Sequence, residues 1–186
     1  EFSERQIHQS MSGLARLYSA MAVAERYVIR DAAGDVTPEL PSTDPVAVEA
    51  TRADAAIATA LNDDLNTPEV MARLFELVRV FNSAVKPFQP VQPLVVARSA
   101  RLRQVFREWG ALMSLWQQPP VEFLRHLDDI LLRQKNLERS YIDALVVKRQ
   151  QARANKDFAQ ADAVRKELTV LGIDVMDSAQ GTYWVV

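Results

Sequence analysis

Apolar residues recur at spacings of three and four over most of this chain, and prolines cut the pattern into lengths of helix. Ile7, Met11, Leu14, Leu17, Tyr18 and Met21 form the first stripe. Ser3 and Gln6 before it have the spacing of a capping box, so a helix is expected to about Val28. Five glycines in 186 residues are few, and β-branched runs are scarce, which leaves little room for extended structure. Residues 30–43 hold Gly34, Pro38 and Pro41 and read as an exposed loop. Asp44-Pro45 supplies an N-cap and a first-turn proline for a second helix carrying Val48, Ala55, Ile57, Ala58 and Leu61. NDDLNTPEV breaks that helix, and Thr67-Pro68 opens a third with Val70, Leu74, Leu77, Val78 and Phe81. KPFQPVQP, 86–93, is a connector. A fourth helix spans about 94–116, Pro119-Pro120 stops it, and VEFLRHLDDILL makes a shorter fifth. Amphipathic helices joined by short links predict an antiparallel bundle.

After about residue 137 the character changes. ERSYIDALVVKRQQARANK reads as a helix with a basic C-terminal half. Asp157, with Gln160 three places on, caps a shorter helix whose stripe is Val164, Leu168 and Leu171, and Gly172 is placed for a left-handed stop. Ile173, Val175, Tyr183 and Val185 alternate around a DSAQG turn and read as a β-hairpin. A lone hairpin is marginal in water, so it must pack on the two helices before it. The fold class expected is therefore mostly α: an antiparallel helical bundle over 1–137, then a small α+β module of two helices and a β-hairpin over 138–186.

The absence of cysteine excludes disulfides, cysteine-bound zinc and thiol chemistry, and suits a reducing cytoplasm. His8 and His126 are far apart and read as ordinary helix residues, so no metal site is expected. No apolar run approaches the ~20 residues of a membrane span. The net charge of −2 exerts no global pull on nucleic acid, so any such binding must come from a local patch. The chain opens EFSERQIHQ, without methionine or signal peptide, and reads as a fragment of a longer protein.

One stretch offers such a patch. KRQQARANK brings Lys148, Arg149, Arg153 and Lys156 together with no acid among them. In the helix that follows, Phe158, Asp162 and Arg165 are spaced by four and three and share a face. At ~100° per residue, Val164, Leu168 and Leu171 fall within roughly 60° of one another on a neighbouring face. An unpaired base presents a π-face and an edge of donors and acceptors. An aromatic takes the face, a carboxylate accepts from guanine or cytosine, and an arginine fork meets ring acceptors or phosphate. That mixture reads splayed single-stranded RNA loops. The same residues allow a structural account. Asp157 would be a cap, Phe158 would pack on the hairpin, Asp162 and Arg165 would form an exposed ion pair, and Arg153 and Lys156 would sit where the helix dipole favours cations. These residues alone leave both accounts open.

ARANKDFAQADAVRKELTVLGIDVMDSAQGTYW resembles the C-terminus of bacterial cysteinyl-tRNA synthetases, class I aminoacyl-tRNA ligases. NDDLNTPEVMARLFEL resembles the start of a helix in that family's post-catalytic bundle, and EFSERQIHQSMSGLARLY resembles the segment opening it. The resemblance covers nearly the whole chain. It implies an anticodon-stem-contacting bundle over 1–137 and an anticodon-binding module over 138–186. It puts Arg153, Asp162 and Asp177 where the family contacts anticodon bases, and Phe158 at a stacking aromatic that is often tryptophan. It leaves Lys148, Arg149, Lys156 and Arg165 for the RNA backbone. Thr182 and Trp184 match the family's terminal motif, where packing is as good an account as contact. The implied function is recognition of tRNA(Cys) and its GCA anticodon within a ligase that attaches cysteine using ATP and zinc. The HIGH-like and KMSKS-like motifs and the zinc-binding cysteines of the family's catalytic half are absent here, so catalysis and cofactors are expected only in the catalytic domain of the parent chain. No DNA or membrane partner is expected.

Other features have plainer accounts. Asp63, Asp64 and Glu69 read as capping and dipole chemistry rather than a metal site. Trp109 and Trp116, seven apart beside Leu112, suit a core or an interdomain surface. Arg98, Arg101, Arg103 and Arg107 read as a solvated face or a contact for RNA backbone. Two rival functions follow: a helical scaffold that docks on a catalytic domain, and a stand-alone RNA-binding paralogue without catalysis.

Overall fold

Most helices begin where the sequence offers a cap or a proline, and several end without the glycine a sequence reader looks for. The computed structural model describes residues 3–32, 34–178 and 181–186. Among these are seven helices: α1 Glu4–Glu25, α2 Pro45–Asn62, α3 Thr67–Ala84, α4 Pro93–Met113, α5 Pro120–Gln134, α6 Arg139–Ala154 and α7 Phe158–Val170. Short strands β1 Ile29–Asp31 and β2 Gly34–Val36 form one antiparallel pair, and β3 Asp174–Ser178 and β4 Gly181–Val185 another. The first pair occupies part of the stretch that reads as loop. Its register, Ile29 opposite Val36, also sets Arg30 beside Asp35, whose side chains pair at 3.0 Å.

Ser3 and Gln6 form the expected capping box on α1. Asp44 caps α2, its carboxylate accepting from the Val46 N–H at 2.9 Å. The cap of α3 is Asn66, one residue earlier than Thr67-Pro68 suggests, because its side-chain oxygen accepts from the Glu69 N–H. Asp63 and Asp64 before it are exposed, Glu69 pairs with Arg73, and no metal-binding cluster occurs among the described residues. Asp157 caps α7 from the Gln160 N–H at 3.0 Å.

The chain divides into two units, Glu1–Leu124 and Arg125–Val186. The first is built on Leu17, Ile57, Leu74, Leu77, Phe81, Leu102 and Phe106, all buried at the mutual faces of α1 to α4. Trp109 and Trp116 pack against this core; Trp109 donates to Asp54 at 2.8 Å, and Trp116 meets Phe106 edge-on. Gly110 is required where the end of α4 closes on itself, since a Cβ there would lie 2.8 Å from the Leu115 carbonyl. Three α4 arginines are engaged inside the unit. Arg98 holds Asp44 and the Ala84 carbonyl, Arg101 holds Asp54, and Arg103 holds Asp35. Arg107 is exposed. The α4 arginine row therefore fastens neighbouring segments more than it faces solvent.

The second unit has its own core of Leu132, Ile142, Val164, Leu168 and Ile173, against which Val175, Trp184 and Val186 pack. Leu132 brings the C-terminal part of α5 into this unit. Sequence alternation marks Tyr183 and Val185 as the apolar side of β4. The register instead sets Val175 opposite Trp184, so Trp184 and Val186 face the core. Ala179 and Gln180 of the turn lie outside the described residues.

Asp44 is buried and does two jobs, capping α2 and pairing with Arg98. Asp44→Ala is expected to lower the stability of the first unit by about 3 kcal/mol. Asp44→Asn, which keeps a cap oxygen but loses the charge, should cost clearly less. Chemical denaturation followed by circular dichroism measures both.

Candidate nucleic-acid interface

Helix α6 ends in a tight turn that α7 leaves at once. The Lys156 N–H bonds the Arg153 carbonyl at 3.0 Å and the Asp157 N–H bonds the Ala152 carbonyl at 2.8 Å, the paired bonds of a Schellman stop. Lys156 occupies the left-handed position at φ 60°, where glycine is the easier residue. Asp157 is thus the last residue of one motif and the cap of the next helix. Only three residues separate α6 from α7, so Arg153 in the last turn of one and Phe158 in the first turn of the other flank the same short link. Helix α7 ends in the same way, on Gly172 at φ 70°, with Ile173 bonded back to Leu168 at 2.9 Å. Lys135 donates to the Leu171 carbonyl there at 2.8 Å, a cation on a helix C-terminus.

Phe158 is large and apolar and yet 64% exposed. Asp162 and Arg165 follow it on α7 and are exposed. Lys148, Arg153 and Lys156 are exposed on α6 and its turn. Arg149 is different: it is only 6% exposed. The buried stripe of α6 runs Ile142, Leu145, Val146, Arg149, Ala152, so the arginine stands at a core position of the helix. Its fork engages both oxygens of Asp177, at 2.8 Å each. Asp177 faces it because it shares one side of β3 with Val175, which packs on the core. The Thr182 hydroxyl, opposite in register, donates to the same carboxylate at 2.8 Å, and Arg153 completes the set.

The electrostatics follow from this packing. The Arg149 hydrogen bonds hold the Asp177 carboxyl well below the usual carboxylate range; burial opposes them, and Thr182 and the Arg149 and Arg153 charges reinforce them. The same pairing raises the Arg149 pKa further, against the cost of burial, with a smaller contribution from the Asp162 charge. Elsewhere in the unit Trp184 donates to Asp143 at 2.8 Å, and the Arg139 guanidinium lies 4.5 Å from its ring centre. Trp184 is thereby a packing residue. Burial pushes Asp128 up, despite the Val186 N–H and the Arg139 charge.

The structure brings Arg149, Arg153 and Asp177 together and sets Phe158 just past the turn that follows Arg153. Sequence reasoning grouped Arg149 with the exposed cations. The signal it passed over is the helical spacing from Ile142 and Val146, which puts residue 149 on the buried stripe.

A DALR domain family model matches residues 56–117, and a cysteinyl-tRNA ligase anticodon-binding domain model matches residues 140–184. The chain belongs to the C-terminal region of the cysteine–tRNA ligase family. It is 38% identical to a cysteine–tRNA ligase of Bdellovibrio bacteriovorus, over all of this chain and 37% of that protein. A ligase of Idiomarina loihiensis is 35% identical over 98% of the chain and 33% of its own length. One of Maridesulfovibrio salexigens is 32% identical over the whole chain and 38% of its own length. The chain therefore spans little more than a third of these curated relatives. No helix among the described residues is long and apolar enough to cross a membrane.

Because the folded pKa of Asp177 is depressed, its contribution to stability is full above about pH 4 and is lost as the pH falls through the folded value. Asp128, with a raised folded pKa, acts in the opposite sense. Asp177→Asn should therefore destabilise the second unit at neutral pH. The gap from wild type should narrow steadily as the pH is lowered below about 4, read from thermal melts at each pH.

Proposed function

We propose that the second unit binds tRNA(Cys) and reads its GCA anticodon, as part of a cysteine–tRNA ligase. The observation that carries this reading is the exposed Phe158 ring at the first position of α7, separated by a three-residue link from the α6 end that carries the exposed Arg153, with Asp162 one turn further on. The ring stacks an unpaired base, Asp162 and Asp177 accept from base amino or imino groups, and Arg153 donates to a base or a phosphate. Lys148 on α6, Lys156 in the turn that follows it and Arg165 on α7 are exposed and supply contacts to the RNA backbone. The curated relatives are named as cysteine–tRNA ligases, and this supports a parent chain that joins cysteine to its tRNA. ATP and zinc belong to the catalytic domain of that parent, and the protein acts in the cytoplasm. The helical bundle contacts the anticodon stem and docks on the catalytic domain.

The test is a titration of the chain with a tRNA carrying the GCA anticodon and with the same tRNA changed at one anticodon base. Tighter binding of the first is expected, and equal binding at moderate salt would remove the specificity. Phe158→Ala should weaken binding by about 1–3 kcal/mol without altering the melt of the second unit. Arg153→Ala should lower the salt slope by about one if the residue holds phosphate, and leave the slope alone if it reads a base.

A further inference from the structure

The Asp177 carboxylate receives four hydrogen bonds. Two come from the Arg149 fork, one from Thr182 and one from Arg153. A carboxylate offers about four acceptor sites, so as it stands none is left for a nucleobase. The four donors are not equivalent. Arg149 is buried on the core stripe of α6, and its two bonds fix both the position and the plane of the carboxylate. Thr182 is the cross-strand partner of Asp177 and moves with it. Arg153 is exposed, on a long side chain at the end of its helix, and engages through one nitrogen.

We infer that Arg149 is a positioning residue for base recognition: it locks Asp177 so that a single outward acceptor site, occupied by Arg153 in the RNA-free protein, passes to an amino or imino donor of one anticodon base when RNA binds. This rests on the anticodon reading proposed above. Arg149 makes no phosphate contact, because its fork is already committed and is enclosed by the core. Arg153 is released toward the RNA as the base takes its place, so the ion pair shields the reading carboxylate until a matching donor arrives. Binding thus exchanges one charge-assisted bond for another and leaves no buried charge unpaired.

Arg149→Lys separates this role from the others, since lysine keeps the charge but cannot form the planar fork. The full chain, wild type and variant, is titrated with unmodified tRNA transcripts bearing GCA or a substitution at each anticodon position in turn, across a salt series, with thermal melts of both proteins alongside. Positioning predicts that Arg149→Lys loses tenfold or more in discrimination at one anticodon position. Discrimination at the other two and the salt slope should stay unchanged, and the melt should stay cooperative, with its midpoint somewhat lowered. Discrimination equal to wild type at all three positions would overturn the inference. So would a uniform loss of affinity with a slope reduced by about one, which marks a phosphate contact, or loss of the cooperative melt, which marks a purely structural pair. Wild type that fails to discriminate would instead defeat the anticodon reading beneath it.

Discussion

The Arg149–Asp177 pair is the interaction on which the placement of the second unit's hairpin depends. The hairpin of β3 and β4 is too small to hold its own geometry, and it is fixed at two points along one face. Near the start of β3, Ile173, Val175 and Trp184 pack on the helices. Toward its end, a buried guanidinium on α6 grips Asp177 with both nitrogens. Arg149 is buried but Asp177 is 38% exposed, so desolvation of the guanidinium offsets part of the attraction and the net stability of the pair is modest. What it supplies is a unique placement. Breaking it leaves an uncompensated charge on a core stripe, so alternative positions of the strand are heavily disfavoured.

Around that fixed point the remaining groups follow from helix-end chemistry. The Schellman stop at Lys156 and the cap at Asp157 share one turn, and the turn decides that Phe158 emerges at the first position of α7 rather than inside it. The ring is exposed because the chain reverses just before it. A left-handed lysine where glycine would be easier keeps a cation at that turn at some cost in backbone strain.

Much of this was legible in the sequence, for local reasons. Ser3 with Gln6, Asp44-Pro45, Asp157 with Gln160 and Gly172 each announce a helix boundary through interactions spanning a few residues, and each is found. Boundaries set by non-glycine residues at positive φ, such as Ser114, Asn136 and Lys156, carry no such mark. The hairpin register was not legible, because Tyr183, Trp184, Val185 and Val186 are all apolar enough to face inward and only pairing across to Val175 chooses among them. The role of Arg149 was obscured by composition. Among four cations in nine residues it looks like its neighbours, and the partner that distinguishes it lies 28 residues away. Asp177 likewise reads as turn chemistry until the arginine is seen. The α4 arginines show the same limit, since their acids come from the β1–β2 pair, the start of α2 and the α2 interior.

The central claim is that the face formed by Arg153, Phe158, Asp162 and Asp177 is where RNA meets this chain. The most direct measurement is an NMR titration of the isotope-labelled chain with a short stem-loop RNA closing on a GCA-containing loop. The account predicts that the largest shifts fall on the Phe158 ring, the Arg153 and Asp162 amides and the β3–β4 end that carries Asp177 and Thr182. Shifts confined to α1–α4, with that face unmoved at saturation, would contradict it.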